Sequence, residues 1–416
     1  MNKIESFVYK QVKNNYLLKN FLRNVYQGFF DLLPNYESKF LANPIVREGY
    51  YFGFHDLNPF SSDNTKHLAN HLLIPLRMPT KDDALELGYF DGKNFSDWHN
   101  IAYTYAWNYH KGCRLQWLDN THVIYNDVEQ GMLCSKIRDV KSKAVKTINY
   151  PIDTASYDGK YATNFSYGRL QENMPGYGYV VSDEAFLKED APSSTGLFLV
   201  DLVKGTRELL LSLEEIMAFH HEAFMDGKMH FVTHTEFSYD NRYIAFLHRW
   251  YKGVSRNTRL MVYDRKTKKL MVSPTTGMVS HYAWNHLNGI VAYCRVEGID
   301  SHVYFSSPDM KDWKRCGYPK LNSDGHHHFI DDDWFLVDTY PDKWRHVKLY
   351  KVNRKTDEVT LLADAKSPKK FVSPCEQKHW KCDLHPRCSA DGKWFSFDSV
   401  HTGKRSLCIM PLDIIR

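Results

Sequence analysis

Several features that define common protein classes are absent from this chain of 416 residues. It has no run of about 18 apolar residues, so no transmembrane helix is expected. Its N-terminus lacks the apolar core and the cleavage site of a signal peptide. The eight cysteines form no Cys-x-x-Cys pair and no closely spaced framework, which is typical of reduced thiols. These absences together predict a cytoplasmic protein.

Familiar catalytic and nucleic-acid-binding signatures are absent as well. The sequence contains no G-x-S-x-G elbow of a serine hydrolase, no P-loop and no dinucleotide-binding fingerprint. The 54 basic and 49 acidic residues leave a net charge of only +5, without a dense basic stripe beyond the N-terminus. Nucleic acid is therefore not expected as a partner.

The first 49 residues differ in character from the rest of the chain. Residues 3–33 mix apolar side chains at helical spacing with Lys10, Lys13, Lys19 and Arg23, which predicts a helix. Two interpretations remain open: the helix packs on the outside of the main domain, or it makes peripheral contact with a membrane surface. We expect residues 1–49 to form a helical N-terminal extension.

From residue 50 to residue 416, short runs of β-forming residues alternate with turns rich in Asn, Asp and Gly. Seven repeat units can be counted, which begin near residues 50, 112, 153, 234, 281, 326 and 385. A period of about 40–50 residues with several short strands in each unit is typical of a β-propeller. The sequence therefore predicts an all-β, seven-bladed β-propeller over residues 50–416, with its largest insertion near residues 168–200.

A tight-turn pattern recurs in the repeats. The last unit, HPRCSADGKWFSFDSV, has Ser389, Asp391 and Gly392 at this turn, and FSYDNRYIAF in the fourth unit has Asn241 in place of glycine. The pattern resembles the TolB-type propeller repeat. Because Asp-Gly and Asp-Asn suit a turn that needs a positive φ, we interpret the pattern as structural rather than catalytic.

Four histidines stand at the same place in four consecutive units. They are His234, His281, His326 and His385, with spacings of 47, 45 and 59 residues. Equivalent positions of successive blades converge on the axis of a propeller, so we expect these side chains to face one another. Imidazole suits Mn, Fe, Zn or Ni as a ligand. For any single histidine, the alternative is a structural hydrogen bond that caps a strand.

Five strings extend this interpretation. They are WNYHKGCRLQWLDNTHVIYND (107–127), NFSYGRLQENMPGYGY (164–179), DGHHHF (324–329), VDTYPD (337–342) and CDLHPRCSADGKWFSFDS (382–399). Together they resemble a group of seven-bladed propellers related to oligogalacturonate lyase. The resemblance implies a cytoplasmic lyase that acts on uronate-containing glycans with a divalent metal, manganese above all, held by histidines and a glutamine.

The resemblance and the repeat positions together give a hypothesis for the site. His281, His326 and His385 are the predicted metal ligands, with Gln377 as the fourth, and His234, one blade earlier, is the predicted base. The pattern Gln-x-x-His-x-His of the lyase is absent in that form. The nearest residues are Glu376, Gln377, His379 and His385.

Elimination across a uronate removes the proton on C5, which becomes acidic only when the neighbouring carboxylate is neutralised by a metal or an arginine. Arg169, on the long insertion, is the predicted partner of a substrate carboxylate. Tyr177 and Tyr179 are predicted to bind the substrate by stacking on a sugar ring. The structural alternatives are a salt bridge from Arg169 and a core position for the tyrosines.

Two further alternatives remain open. Cys375, His379, Cys382, His385 and Cys388 are residue types that can form a structural zinc site, although their spacing matches no known zinc knuckle. The second alternative concerns function. In place of a metal-dependent lyase, the chain could be a non-catalytic propeller that binds a glycan or a partner protein in a bacterial polysaccharide pathway.

Overall fold

The strands of the molecule form seven antiparallel sheets that follow one another along the chain. The structure, a computed structural model, describes residues 16–31, 36–181, 186–252, 255–373 and 379–412. The predicted seven-bladed β-propeller is confirmed.

Each sheet is one blade. Two short strands, β1 (Lys39–Phe40) and β2 (Ile45–Glu48), precede the first blade. Blade 1 comprises β3 (Tyr50–Tyr51), β4 (His67–His71), β5 (Leu85–Asp91) and β6 (Asp97–Thr104). Blade 2 comprises β7 (Gln116–Trp117), β8 (His122–Glu129), β9 (Met132–Asp139) and β10 (Val145–Ile148). Blade 3 comprises β11 (Tyr161–Asn164), β12 (Gly196–Asp201) and β13 (Thr206–Ser212).

The remaining four blades follow the same order. Blade 4 comprises β14 (His230–Phe237), β15 (Tyr243–Lys252), β16 (Ser255–Asp264) and β17 (Lys269–Val272). Blade 5 comprises β18 (Val279–Trp284), β19 (Ile290–Val296), β20 (Ile299–Phe305) and β21 (Trp313–Arg315). Blade 6 comprises β22 (His327–Phe329), β23 (Trp334–Asp338), β24 (His346–Asn353) and β25 (Val359–Lys366). Blade 7 comprises β26 (Arg387–Cys388), β27 (Trp394–Ser399) and β28 (Ser406–Pro411).

Three α-helices and two short 3₁₀ helices complete the described chain. The α-helices are α1 (Tyr16–Asp31), α2 (Tyr167–Asn173) and α3 (Leu213–Ala218), and the 3₁₀ helices are Ala223–Met225 and Lys369–Phe371. Helix α2 lies in the predicted insertion, between β11 and β12. The Ser166 hydroxyl caps α2 by accepting a hydrogen bond from the Arg169 amide.

The ring of blades is closed by the N-terminal strands. Strand β2 pairs with β28 as the outer strand of blade 7, and β1 pairs with β25 as a fifth strand of blade 6. The predicted boundary between residues 49 and 50 therefore differs from the strand pairing, because residues 39–48 already contribute to two blades. That the segment before residue 39 is an extension separate from the propeller stays a prediction.

Truncation distinguishes the closing strands from the helix. Deleting residues 1–35 is expected to leave a folded protein, because β1 and β2 remain. Deleting residues 1–48 removes the β2 ladder and the apolar contacts of Ile45 and Val46, and is expected to lower the Tm by about 5 °C or more. Thermal unfolding of the two truncated proteins compares them, and equal Tm values would contradict this role of β2.

The apolar core is divided among the interfaces between blades. Seven clusters of buried apolar side chains each join two neighbouring blades, and together they account for all seven interfaces of the ring. For example, Phe246 and Leu199 belong to the cluster between blades 3 and 4, whereas Leu247 and Ile290 belong to the one between blades 4 and 5. Alternate residues of one strand therefore face opposite neighbours, as the two-residue period of a strand requires.

The recurring tight turn is structural, as predicted. Within it, the serine hydroxyl donates to the aspartate carboxylate at 2.6 Å in four blades, in the pairs Ser61–Asp63, Ser156–Asp158, Ser238–Asp240 and Ser389–Asp391. The next residue can link blades: Asn64 accepts from the Ala390 amide, and Asn241 accepts from the Tyr157 amide.

Helix α1 contacts blade 6. The Phe30 ring packs edge-on against Trp344 at 4.6 Å, and Asp31 accepts two hydrogen bonds from Arg345, at 2.7 and 3.0 Å. These contacts agree with a helix packed on the outside of the propeller. Among the described residues, no helix is long and apolar enough to cross a membrane. Residues 3–15 lie outside the described part, and contact of residues 3–33 with a membrane surface stays a prediction.

Buried neutral histidines make the fold sensitive to acid. Burial lowers the pKa of His67 to about 3 and those of His302 and His328 to about 4, whereas the unfolded chain titrates near 6.5. Between pH 6.5 and about 4 the unfolded state therefore binds more protons, and stability falls as the pH falls. At pH 5 each of these groups is expected to lower the free energy of unfolding by on the order of 2 kcal/mol relative to neutral pH.

His67→Leu tests this expectation. Among the described residues neither ring nitrogen of His67 has a hydrogen-bond partner, and the Phe60 ring packs against it at 4.6 Å. In urea unfolding experiments, the free energy of unfolding of the variant is expected to fall less steeply between pH 6.5 and 4 than that of the wild type. The reason is that unfolding of the variant takes up about one proton fewer in this range. An unchanged slope would show that His67 does not contribute.

Candidate metal centre in the central channel

The four repeated histidines converge around one aromatic ring. The centroid of Phe54 lies 4.8 Å from the ring of His234, 5.8 Å from His281, 5.6 Å from His326 and 5.0 Å from His385. All five side chains are buried. Blades 4, 5, 6 and 7 thus each contribute one imidazole to a single cluster, as the repeat positions predicted.

Irregular backbone turns these side chains toward the channel. The pairing of β14 with β15 shifts between Thr233 and Glu236, and that of β18 with β19 shifts between Val279 and Tyr282. His234 and His281 lie in these bulges, which are known to re-aim a side chain. His234 and His385 also have positive φ angles, +53° and +45°. Such strained non-glycine backbone is concentrated at functional sites.

Three donor groups come closest together: His326, Asp383 and His385. One ligand atom from each lies within 4.8 Å of the other two. The rings of His326 and His385 have centroids 4.2 Å apart. Among the described residues, Nε2 of His385 is buried without a hydrogen-bond partner. An orphaned imidazole nitrogen beside a carboxylate and a second imidazole is a donor set that suits a divalent transition metal.

Asp338 fixes the two histidines of this triad. Its carboxylate lies 2.9 and 3.1 Å from Nδ1 of His326, which leaves Nε2 of His326 as the free nitrogen. The same carboxylate accepts the backbone N–H of His326 at 2.7 Å and that of His385 at 2.9 Å. A metal-bound histidine commonly donates its other ring N–H to a carboxylate, which fixes the orientation of the ring. Gly325 permits this arrangement, because a Cβ there would overlap the Asp338 carbonyl.

His281 lies beside the triad. Its ring centroid is 3.9 Å from that of His326, and its Nδ1 is 3.4 Å from Asp324 Oδ1. Its donor atoms are not among those that come within 4.8 Å of one another, a group in which Asp383 is the third member, so the predicted role of His281 as a ligand stays a prediction. His55 also lies near His326, with ring centroids 5.2 Å apart. The cluster is therefore richer in imidazole than the sequence predicted.

The protonation of the cluster follows from burial and from the carboxylates. Burial lowers the pKa of His385 well below its usual value and lowers that of His281 to about 4. Burial also acts on His326, but the Asp338 carboxylate outweighs it, so the pKa of His326 is raised. Burial, followed by the charge of Arg249, lowers the pKa of His234 well below 6.5. Neutral imidazole, which His234 and His385 therefore carry near pH 7, is the form that accepts a proton or binds a metal.

Tyr177 is half-buried beside the histidine cluster, on the side that we call the mouth of the channel, and its predicted stacking on a sugar ring stays a prediction. Its ring stacks on His110 with centroids 4.6 Å apart and 8° between the planes, and it lies 6.4 Å from the ring of His234. His379 hydrogen-bonds to His110 and lies 5.3 Å from Tyr177. The insertion of blade 3 and the segment before blade 7 thus meet above the histidine cluster.

Two predicted substrate residues lie elsewhere. The guanidinium of Arg169 is buried and donates to four backbone carbonyls, those of Phe186, Glu189, Asp190 and His230, at 2.5–2.7 Å. Because its N–H groups already donate to the backbone of the insertion and of β14, the guanidinium is poorly placed for the predicted pairing with a substrate carboxylate. Tyr179 is also buried: it stacks on Tyr167 and its hydroxyl accepts from Asn126 at 2.8 Å. Tyr179 is a core residue rather than a sugar platform.

Some predicted residues cannot be placed. Gln377, the proposed fourth ligand, and Cys375 lie outside the described residues. Cys382 and Cys388 are buried free thiols whose sulfur atoms approach backbone carbonyls, and within the described part of the chain no cysteine belongs to the group of candidate metal ligands. The alternative of a structural zinc site has no support in this geometry.

Three important residues were missed by the sequence analysis. Asp383 stands two residues before His385, so this chain has Asp-x-His where the lyase pattern has His-x-His. Asp338 lies in the string VDTYPD (337–342), which is typical of a strand end followed by a turn. Arg249, on β15, carries no sequence signal and is recognised only because its side chain reaches the channel wall, where it donates to the carbonyl of Ser280 at 3.2 Å.

Fold and site define a class: a seven-bladed β-propeller with a buried histidine–carboxylate cluster in its central channel. Solved structures with the same fold include an oligogalacturonate lyase in complex with manganese, which has a TM-score of 0.63 at 15% identity and covers 91% of this chain and 96% of that one. They also include the oligogalacturonate lyase of Vibrio parahaemolyticus, with a TM-score of 0.57 at 11% identity over 89% and 92% of the two chains. The predicted resemblance to these lyases is confirmed for the fold.

The fold is shared more widely. The tricorn protease has a TM-score of 0.52 at 12% identity, over 90% of this chain and 34% of that one. No model of a protein family and no curated protein sequence matches the chain. At these identities the comparisons identify the propeller and leave its chemistry to be argued from the site.

Proposed function

We propose that this protein is a metal-dependent lyase that cleaves uronate-containing oligosaccharides or polysaccharides by β-elimination. The observation that carries the proposal is the convergence of His326, Asp383 and His385, with ligand atoms within 4.8 Å of one another. The neutral His234 belongs to the same cluster, with its ring 6.1 Å from that of His281. The likeness of the fold to an oligogalacturonate lyase that was solved with manganese supports it.

The residues present fit a divalent metal. Nε2 of His326, Nε2 of His385 and a carboxylate oxygen of Asp383 would hold it, and two nitrogens with one oxygen are compatible with manganese. Bound there, the metal would neutralise a uronate carboxylate and so acidify the neighbouring C5 proton. His281, 3.9 Å from His326, is the nearest further imidazole.

The residues of this chain would do the remaining work. His234 would accept the C5 proton, because its imidazole is neutral and faces the cluster. Burial lowers its proton affinity, and the negative charge of a bound uronate would raise it again. Tyr177, whose ring is stacked on that of His110, would contact a sugar ring at the mouth. Asp338 would keep Nε2 of His326 turned toward the centre.

A direct experiment separates the lyase from a binding protein. Protein purified without a histidine tag would be analysed for bound metal and then incubated with a panel of uronate-containing glycans, while absorbance of the unsaturated uronate product is followed. Bound metal with new absorbance supports the lyase. Protein without metal and without product on every glycan would leave the non-catalytic propeller as the better description.

Two finer statements remain predictions. The cytoplasmic location is one of them, and the seven described cysteines, which are all free and buried, agree with it. Peripheral membrane contact through residues 3–33 would add a second partner, independent of the glycan.

A further inference from the structure

Arg249 carries a buried positive charge that no carboxylate in the described chain neutralises. The residue is only 2% exposed. One terminal nitrogen lies 3.0 Å from the sulfur of Met174, and the other donates to the carbonyl of Ser280 at 3.2 Å. Among the described residues, its Nε has no hydrogen-bond partner. A buried guanidinium without an anionic partner lowers the stability of the folded protein. The burial of Arg249 therefore needs an explanation other than stability.

Arg256 places a second positive charge near the first. It lies on the long hairpin of β15 and β16, whose strands of ten residues each are the longest that the structure describes. The hydroxyl of Tyr251 ties this hairpin to the carbonyl of Asn173 at the end of α2. Arg256 is exposed. Burial, followed by the charge of Arg256, lowers the pKa of Arg249 to about 9, so the two guanidinium groups repel each other.

This pair borders the candidate metal centre. Ser280, which accepts from Arg249, directly precedes His281 in the bulge of β18. The charge of Arg249 acts on His234, and that of Arg256 acts on Tyr177 and His379 at the mouth. In the ladder of β15 and β16, Arg249 pairs with Thr258 and Tyr251 pairs with Arg256, so the two arginines lie on the same face of the hairpin.

We propose that Arg249 and Arg256 form an anion-binding subsite that takes a carboxylate of an acidic sugar at the entrance to the channel. A guanidinium matches a carboxylate with two parallel hydrogen bonds. One bound carboxylate would give Arg249 its missing partner and would reduce its repulsion with Arg256. The two residues would act as positioning and specificity residues, which select acidic over neutral glycans. The proposal rests on the proposed function only for the reaction that follows binding.

Binding to metal-free protein tests the subsite separately from the reaction. Chelator-treated protein would be titrated calorimetrically with trigalacturonate and with the neutral galactotriose. We expect trigalacturonate to bind at least about 10-fold more tightly, with an affinity that falls as salt rises. Arg249→Met and Arg256→Gln are each expected to weaken trigalacturonate binding by about 10- to 100-fold and to leave galactotriose unchanged.

Two controls guard against a merely structural effect. Arg242→Gln alters an arginine near the other end of β15, where Asp264 pairs with it at 2.7 Å, and is expected to leave both affinities unchanged. Arg249→Met is expected to keep or raise the Tm, because it removes an uncompensated buried charge. Equal binding of the two sugars by the wild type, or unchanged trigalacturonate binding by both variants, would overturn the subsite. Selective binding without elimination would uphold the subsite and contradict the lyase.

Discussion

Replacing His234 with alanine is expected to abolish elimination while the bound metal is retained. His234 is the one repeated histidine whose predicted role is that of base, and its Nδ1 lies 2.9 Å from the Thr233 hydroxyl rather than from a carboxylate. Loss of a general base costs about 100- to 10,000-fold in rate. The measurement is kcat on a uronate oligosaccharide, together with metal content and Tm.

His234→Gln is the matched comparison. Glutamine can keep a hydrogen bond to Thr233 but offers no basic nitrogen, so it is expected to be as inactive as alanine. Exchange of the C5 proton with deuterated solvent gives a second readout: the wild type should catalyse it and both variants should not. If the alanine variant retained at least half of the wild-type rate, His234 would be a strand cap, and the base would have to be sought elsewhere.

Replacing His385 with alanine, or Asp383 with alanine, is expected to remove both metal and activity. Each change deletes one of the three donor groups that lie within 4.8 Å of one another. Loss of a supporting group behind a ligand already costs 10- to 100-fold in metal affinity, so loss of a ligand is expected to cost more than about 100-fold. Metal titration of chelator-treated protein measures the affinity directly.

His281 and His248 supply the comparisons for this experiment. His281→Ala is expected to weaken metal binding less than His385→Ala, because the donor atoms of His281 lie outside the group formed by His326, Asp383 and His385. His248→Gln changes a buried histidine of blade 4 that hydrogen-bonds to His230 and Arg259 and lies outside the cluster, and it should leave metal affinity unchanged. If His281→Ala lost metal completely while Asp383→Ala retained it, the ligand set predicted from the repeats would be restored.

The architecture could be predicted because a propeller repeats itself. Each blade is one unit of short strands, and the turn at Ser389 and Asp391 recurs in recognisable form in other units, so seven units could be counted without any contact information. Closure could not be predicted in the same way. The pairing of β2 with β28 joins residues more than 350 positions apart, and Ile45–Glu48 has no repeat signature that would assign it to a blade.

The site was predictable only where the repeat fixed it. His234, His281, His326 and His385 converge because equivalent blade positions must do so. Arg169 and Arg249 show the limit of this reasoning, because both are buried arginines. Only the three-dimensional contacts distinguish Arg169, which donates to four carbonyls, from Arg249, which has no anionic partner among the described residues. Asp383 has no repeat signature, and only its distance from His326 and His385 identifies it as a candidate ligand.

Phe54 occupies the centre of the histidine cluster. Its ring contacts all four repeated histidines, and the ammonium group of Lys111, which pairs with Asp153, lies 5.6 Å from the ring centroid. One side chain from the segment between the first two strands of blade 1 thus sets the spacing of imidazoles from four other blades. A smaller residue at position 54 would loosen all four histidines at once, so the precision of the site depends on a residue that carries no chemistry of its own.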